Sequence, residues 1–190
     1  TYDTENGELA KASEQFDAGE VVYLSEFNKE TNAKYGSKIK SSANLSGYVY
    51  YFNTNNKLFS DARVRKALSL AIDRTKVAEI VGCGAEAATS FVPNGVFASG
   101  ANKGSGFNKD SKIYSTTADV NAAKALLSEA GVKSGSFAIT YIEESESDVN
   151  KQVAEYVASV WEGLGFKVST KGIAWKVNAT GKKIREVLNN

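Results

Sequence analysis

Histidine and methionine are absent from this 190-residue chain, and cysteine and proline occur once each. Without His there is no His-based catalytic triad, no imidazole metal ligand and no ordinary neutral-pH proton shuttle. With Cys83 alone there is neither an internal disulfide nor a thiolate zinc cage, and the lone thiol suits either redox compartment. An excess of one charge is also missing. The 23 basic residues meet 22 acidic ones, so nothing pulls the chain as a whole toward nucleic acid or an anionic membrane. No run of about 18 apolar residues is present to cross a bilayer. The start, Thr1-Tyr2-Asp3-Thr4-Glu5, lacks the basic and apolar regions of a signal peptide and the chain lacks an initiator Met, which points to a processed product or an excised piece. What is there is ordinary globular composition, 42% hydrophobic and 24% charged, in a length that suits one domain or one large lobe of something bigger.

Apolar spacing divides the chain into elements. Leu9, Ala12 and Phe16 fall at helical intervals and Gly19 offers a stop. Val21 to Leu24 reads as a short strand, and the polar residues 28–47 read as connection. Tyr48-Val49-Tyr50-Tyr51-Phe52 is aromatic or β-branched throughout, which predicts a strand covered on both faces. Asp61 can cap a helix carrying Val64, Leu68, Ala71 and Ile72, and Asp73 can cap a second one running to Gly82. Residues 93–112 form a long Gly/Asn/Ser/Lys-rich loop. Thr117 or Asp119 starts a helix that Gly131 ends. Strand 137–142, helix 149–164 and strand 166–173 then compose a βαβ unit. A short basic helix is expected over 182–188. The expected fold is α/β: a mixed sheet including 48–52, 137–142 and 166–173, flanked by helices.

Few residues offer chemistry. Glu143, Glu144, Glu146 and Asp148 could supply a carboxylate pair for a hydrolase or oxygen ligands for a hard cation, but no EF-hand spacing is present, and acids before a helix also serve its dipole. The glycines at 82, 84, 104 and 106 lack phosphate-loop spacing. Cys83 has no base to activate it and reads as a small, buried or half-buried residue. Lys167 to Arg185 is basic, yet Trp175 is the only aromatic after Phe166, so a solvated face fits better than a nucleic-acid site. Tyr48, Tyr50 and Phe52 share one face of their segment, and the two tyrosines offer flat apolar bodies with hydroxyl tips, which suit a ligand groove.

Phe52-Asn53-Thr54, Val64-Arg65-Lys66-Ala67-Leu68, Ala71-Ile72-Asp73-Arg74 and Phe91-Val92-Pro93 follow one another in an order that resembles the peptide/nickel-type family of extracellular solute-binding proteins, which serve ABC importers. Phe16 to Val22 and Ala122 to Gly131 fit the same pattern, so the resemblance runs over roughly residues 8–175. It departs where Leu58 replaces the family's usual Pro, loosening the turn there. The resemblance implies one lobe of a type II periplasmic-binding-protein-like fold, part of a two-lobe receptor two to three times longer. It also implies domains: 1–47 as an approach segment, 48–175 as the α/β ligand-binding lobe and 176–190 as a tail. The function it implies is capture of oligopeptides or related small solutes without covalent chemistry, catalytic residue, metal or cofactor. Partners would be the solute and the importer's membrane permease, with no nucleic acid. The receptor would be an extracytoplasmic monomer, free in a periplasm or lipid-anchored at a surface. Tyr48 and Tyr50 are the expected ligand-binding residues, because the family places ligand-contacting aromatics on the corresponding strand. The readings in competition are the carboxylate hydrolase built on residues 143–148 and a stand-alone interaction module.

Overall fold

A computed structural model of the chain describes residues 8–24, 29–40, 42, 45–93, 95–97, 113–143 and 149–174. The chain divides into two compact units, one of Thr1–Ala43 with Gly82–Ala85 and one of Asn44–Val81 with Glu86–Asn190.

In the first unit, helix α1 (Glu8–Asp17) is the amphipathic segment that the spacing of Ala12 and Phe16 predicts. Helix α2 (Lys29–Tyr35) occupies part of the stretch expected to be a connection. Its sequence, KETNAKY, has one apolar anchor of any size, Tyr35, which is buried together with Thr31. The Tyr35 ring meets Phe16 edge-on at 5.4 Å, and its hydroxyl donates to the Ser13 carbonyl at 3.1 Å. Tertiary contact, not propensity, holds this helix. Val21 to Leu24 forms no strand, and Val22 and Tyr23 are exposed.

The second unit opens with a one-turn helix α3 (Lys57–Ser60), followed by α4 (Ala62–Leu70) and α5 (Arg74–Val81). After residues 113–119 come α6 (Val120–Glu129), strand β1 (Gly135–Glu143), α7 (Val149–Glu162) and strand β2 (Phe166–Ala174). The βαβ reading holds: β1 and β2 pair in parallel, with Gly135 opposite Phe166 and Glu143 opposite Ala174. The helices gather on one face of that pair. Val64, Ala67, Leu68, Ala123, Leu127, Val153, Val157 and Trp161 are buried together with Ile139, Tyr141 and Phe166. The turn from α7 into β2 needs glycine at 165, where φ is +99° and a Cβ would stand 3.0 Å from the Lys133 carbonyl oxygen.

The sheet is smaller than expected. Among the described residues it has two strands, both parallel, and residues 48–52 lie in no ladder. Nor is that segment covered on both faces, since Tyr51 is 82% exposed and Val49 is exposed beside it. Its aromatic and β-branched composition makes it fit for a sheet, but a strand exists only where a neighbouring backbone accepts its hydrogen bonds. Tyr50 and Phe52 still pack inward, as the period-two alternation requires. The expected tail helix over 182–188 and most of the loop 93–112 lie outside the described residues.

The end of α4 is where the unit is tied together. The last carbonyls of a helix have no partner within it. Here Ala67 O accepts from Ala71 N–H at 3.2 Å, and Leu70 O accepts from Asp119 N–H at 2.8 Å, just before α6. Leu68 O accepts from the buried indole N–H of Trp161 in α7 at 2.9 Å. Three helices therefore share one helix terminus. Trp161→Ala is expected to lower the unfolding free energy by about 3–5 kcal/mol. Trp161→Phe, which keeps most of the apolar body but leaves the Leu68 carbonyl unmet, should cost about 1–3 kcal/mol. Urea unfolding of the three proteins checks the order; a Phe variant as stable as the parent would remove the indole hydrogen bond from this account.

Candidate functional site

Side-chain acceptors fix the turn between the aromatic segment and α4 in sequence. Asn53 Oδ1 accepts from Asn55 N–H at 3.1 Å, and Asn56 Oδ1 accepts from Leu58 N–H at 2.9 Å, capping α3. Asp61 Oδ1 accepts from Arg63 N–H at 2.8 Å and caps α4. The Arg65 guanidinium donates back to the carbonyls of Phe59 at 2.7 Å and Ser60 at 3.1 Å, closing the end of α3. Asp73 caps α5, accepting from Thr75 N–H at 2.9 Å and from the Thr75 hydroxyl. The motif residues Asn53, Asp61, Arg65 and Asp73 are thus committed to local backbone. They build the lobe and are not free for a ligand.

What this frame displays is the aromatic segment before it. Tyr50 is the packed member, its ring 6.4 Å from Trp161, and Phe52 lies between Trp161 at 6.0 Å and Phe59 at 5.2 Å. Tyr48 stands edge-on against Tyr50 at 5.7 Å and is 50% exposed. Burial, reinforced by the neighbouring Tyr48, pushes the Tyr50 phenol well above its usual range, so it stays a neutral hydroxyl at any physiological pH. The expected ligand residues are therefore neighbours with different exposures: Tyr48 open to solvent, Tyr50 behind it with its hydroxyl buried.

Two further segments approach the same place. A Cβ built on Gly47 would lie 3.8 Å from the Phe91 carbonyl oxygen, so residues 90–92 run beside the start of the aromatic segment. Thr89 O accepts from both Ile113 and Tyr114 N–H at 2.8 Å, which brings the two ends of the intervening loop together. Arg74 clamps the second end. Its backbone N–H donates to Thr116 O at 2.8 Å, and its guanidinium donates to Ser115 O at 3.1 Å and Ser69 Oγ at 2.8 Å while lying over the Tyr114 ring at 5.0 Å. Spacing and composition alone assign Phe91 and Ile113 no role at the tyrosines. The readable signal was the Phe91-Val92-Pro93 motif itself.

The other candidates resolve less well. Glu143 closes β1, where a Cβ at Gly172 would come within 3.0 Å of its carboxylate, and residues 144–148 lie outside the described residues. Among the described residues no three acids or thiols gather as a metal site. Cys83 is exposed, at φ +50° between two glycines also at positive φ, which corrects the expectation of burial: a tight turn ends α5 and turns the thiol outward. Open depressions of ≈ 300 Å³ (Ser136, Glu162, Phe166, Lys167, Val168, Ser169) and ≈ 270 Å³ (Lys124 and Lys133 on its rim) lie away from Tyr48 and Tyr50.

With this geometry in hand, known proteins place the chain. The sequence profile of the bacterial extracellular solute-binding proteins, family 5 (middle), matches residues 7–187, and the chain belongs to that family. It is 31% identical over 175 residues to the periplasmic murein peptide-binding protein MppA of Escherichia coli, covering 87% of this chain and 31% of that protein. It is 33% identical over 137 residues to the periplasmic oligopeptide-binding protein OppA of Salmonella typhimurium, covering 70% of this chain and 24% of that one. Among solved structures, the unliganded open form of the MppA murein tripeptide-binding protein superposes with a TM-score of 0.64 at 30% identity, over 89% of this chain and 33% of that one. The chain thus spans about a third or less of these relatives, and the α/β arrangement is that of part of one lobe of a periplasmic binding protein.

One consequence of the capping network is testable by pH. The Arg63 side chain and then its backbone N–H hold the Asp61 carboxyl below the usual carboxylate value. A depressed folded-state pKa contributes stability that is fully present above the unfolded value, about 4, and is lost as pH falls through the folded one. Asp61→Asn keeps an acceptor for the cap but not the charge. Denaturation profiles from about pH 6 down to about pH 2.5 should therefore fall less steeply for Asp61→Asn than for the parent. Parallel profiles would show that the ion pair adds nothing beyond the cap.

Proposed function

We propose that this chain is part of the substrate-binding subunit of an ABC importer, in which it contributes one jaw that closes on an oligopeptide or a related small solute. Residues 48–175 form that jaw, residues 1–47 lead into it, and residues 176–190 are its tail. The observation that carries the reading is the family match over residues 7–187, joined to relatives named for the peptides they bind. The protein works outside the cytoplasm, in a periplasm or lipid-anchored at a cell surface. It acts as a monomer that delivers its cargo to a membrane permease, with no cofactor and no catalytic step.

The lobe's own residues support capture over catalysis. The family's motif side chains are consumed in capping and in hydrogen bonds at element ends. Tyr48 meets ligand with the face and edge of its ring, while Tyr50 supports it from behind and offers a neutral hydroxyl when Tyr48 turns aside. Aromatic walls of this kind hold a peptide without demanding one side chain, and ordered water fills the remainder of the space.

The test is calorimetric titration of short peptides into the protein that carries this lobe. Tyr50→Ala is expected to weaken peptide affinity about tenfold or more, and Tyr48→Ala by a smaller factor, with folding confirmed by circular dichroism. Unchanged affinity in both folded variants would remove the tyrosines from the site. Failure of the parent to bind any peptide would remove the peptide reading itself.

A further inference from the structure

Both strands of the parallel pair end at the same edge, where Glu143 and Ala174 are the last residues to pair. In parallel α/β sheets the connections diverge at that edge, and ligands settle in the crevice they leave. Two polar groups that the fold leaves without partners meet there. Tyr141 and Glu143 lie two residues apart on β1 and so project to one face, the face on which Ile139 and Tyr141 enter the core. Tyr141 stands directly opposite Gly172 of β2. A Cβ built on Gly172 would lie 3.0 Å from Glu143 Oε2 and 3.1 Å from the Tyr141 hydroxyl oxygen, so both groups converge on the gap that the glycine leaves. Gly172 is not one of the glycines at positive φ, so no turn requires it; what it supplies is room.

Tyr141 is only 8% exposed, yet among the described residues its hydroxyl makes no hydrogen bond. The exposed Glu143 carboxylate likewise makes neither a hydrogen bond nor an ion pair with any of them. A ring buried this deeply normally brings its hydroxyl to a partner, and phenylalanine would fill the same space for the fold alone. The capping acids Asp61, Asp73 and Asp119 behave differently, since each carboxylate accepts from backbone N–H. The backbone at this edge is held in place. Asn150 Nδ2 donates to Ile142 O at 3.0 Å, which fastens the start of α7 to the end of β1.

From this geometry we infer that Glu143 and Tyr141 form, over Gly172, a subsite that receives a primary ammonium group of the bound peptide. The inference rests on the peptide-binding reading and adds to it a place and a preference. A carboxylate only accepts hydrogen bonds, and the phenol oxygen accepts a second N–H while its own proton turns to the carboxylate. An ammonium presents three donors on one compact head, which suits two acceptors converging on a small gap. A hard metal cation wants about six to eight oxygens, more than these two side chains hold. The charge-assisted bond to Glu143 supplies the larger part of the preference and Tyr141 the smaller. A lysine side chain and the peptide's own amino terminus carry the same group.

The experiment titrates the protein that carries this lobe with Ala-Lys-Ala, with its uncharged analogue Ala-norleucine-Ala, and with both peptides N-acetylated. If the lysine is the group received, the parent favours Ala-Lys-Ala over the norleucine peptide about tenfold and Glu143→Gln removes most of that preference. If the amino terminus is received, Glu143→Gln weakens both free peptides about tenfold, and acetylation then costs the parent far more affinity than it costs the variant. Tyr141→Phe should give the same pattern at about two- to fivefold with an unfolding temperature no lower than the parent's, because only an unpaired hydroxyl is lost. Gly172→Ala should mimic Glu143→Gln, since the added methyl displaces the carboxylate. Thermal unfolding of each variant guards against misfolding. A folded Glu143→Gln protein that binds all four peptides as the parent does overturns the inference. So do substitutions that change only the unfolding temperature, as they would if another part of the protein met these two groups. A parent that binds none of the four fails at the earlier step and overturns the peptide reading instead.

Discussion

The hydrogen bond from the Trp161 indole to the Leu68 carbonyl is the constraint on which the rest of the lobe depends. It joins residues 93 positions apart, from the end of α4 to the end of α7, inside the core. Because it uses a carbonyl that α4 cannot satisfy itself, it also fixes the rotation of both helices about their axes. The indole's position then settles the aromatic residues around it. Phe137 of β1 lies 5.6 Å from Trp161, and Phe137 in turn meets Phe59 at 5.0 Å and Phe166 of β2 at 5.6 Å. On its other side the same indole receives Tyr50 and Phe52. The sheet and the exposed tyrosine segment are thus indexed to one side chain.

A division of labour follows from that arrangement. The charged and amide residues of the most recognisable motif, Asn53, Asp61, Arg65, Asp73 and Arg74, all spend their side chains on backbone groups at element ends. Such residues tolerate little change, because each replaces a hydrogen bond that no regular structure supplies. They make the family legible from sequence while saying nothing of what it binds. The exposed aromatic Tyr48, proposed above as a ligand residue, obeys the opposite logic, since half of it lies open and its identity is less bound to the frame.

How much of this could be read from the sequence follows the same split. The βαβ unit, α4, α5 and α6 were legible because each carries its own apolar period, and α4, α5 and α6 their own capping Asp, and both are local signals. Helix α2 was not, because its heptapeptide is polar, its buried residues are Thr31 and Tyr35, and the ring that Tyr35 meets, Phe16, is remote in sequence. The segment 48–52 misled for a related reason. Composition gives strand propensity, but pairing depends on a neighbour, and the outward side chains of Val49 and Tyr51 meet none among the described residues. The residue type's habit predicts a buried or half-buried Cys83, whereas the flanking glycines dictate a turn that exposes it. At the candidate site, Tyr48 and Tyr50 were nameable, since alternation puts them on one face. Their unequal exposure was not, because it depends on where Trp161 sits.

Where the charged side chains of these helices sit is also a consequence of how the lobe is stabilised. In the second unit, the ion pairs and capping acids of α4 and α5 sit at helix starts or on helix faces: Asp61 with Arg63, Lys76 with Glu79, Asp73 at the start of α5. Those places favour charge through caps, dipoles and hydration. The loop ends around Thr89 and Ile113 are held instead by neutral backbone hydrogen bonds and by the Arg74 guanidinium, which donates to the Ser115 carbonyl and the Ser69 hydroxyl.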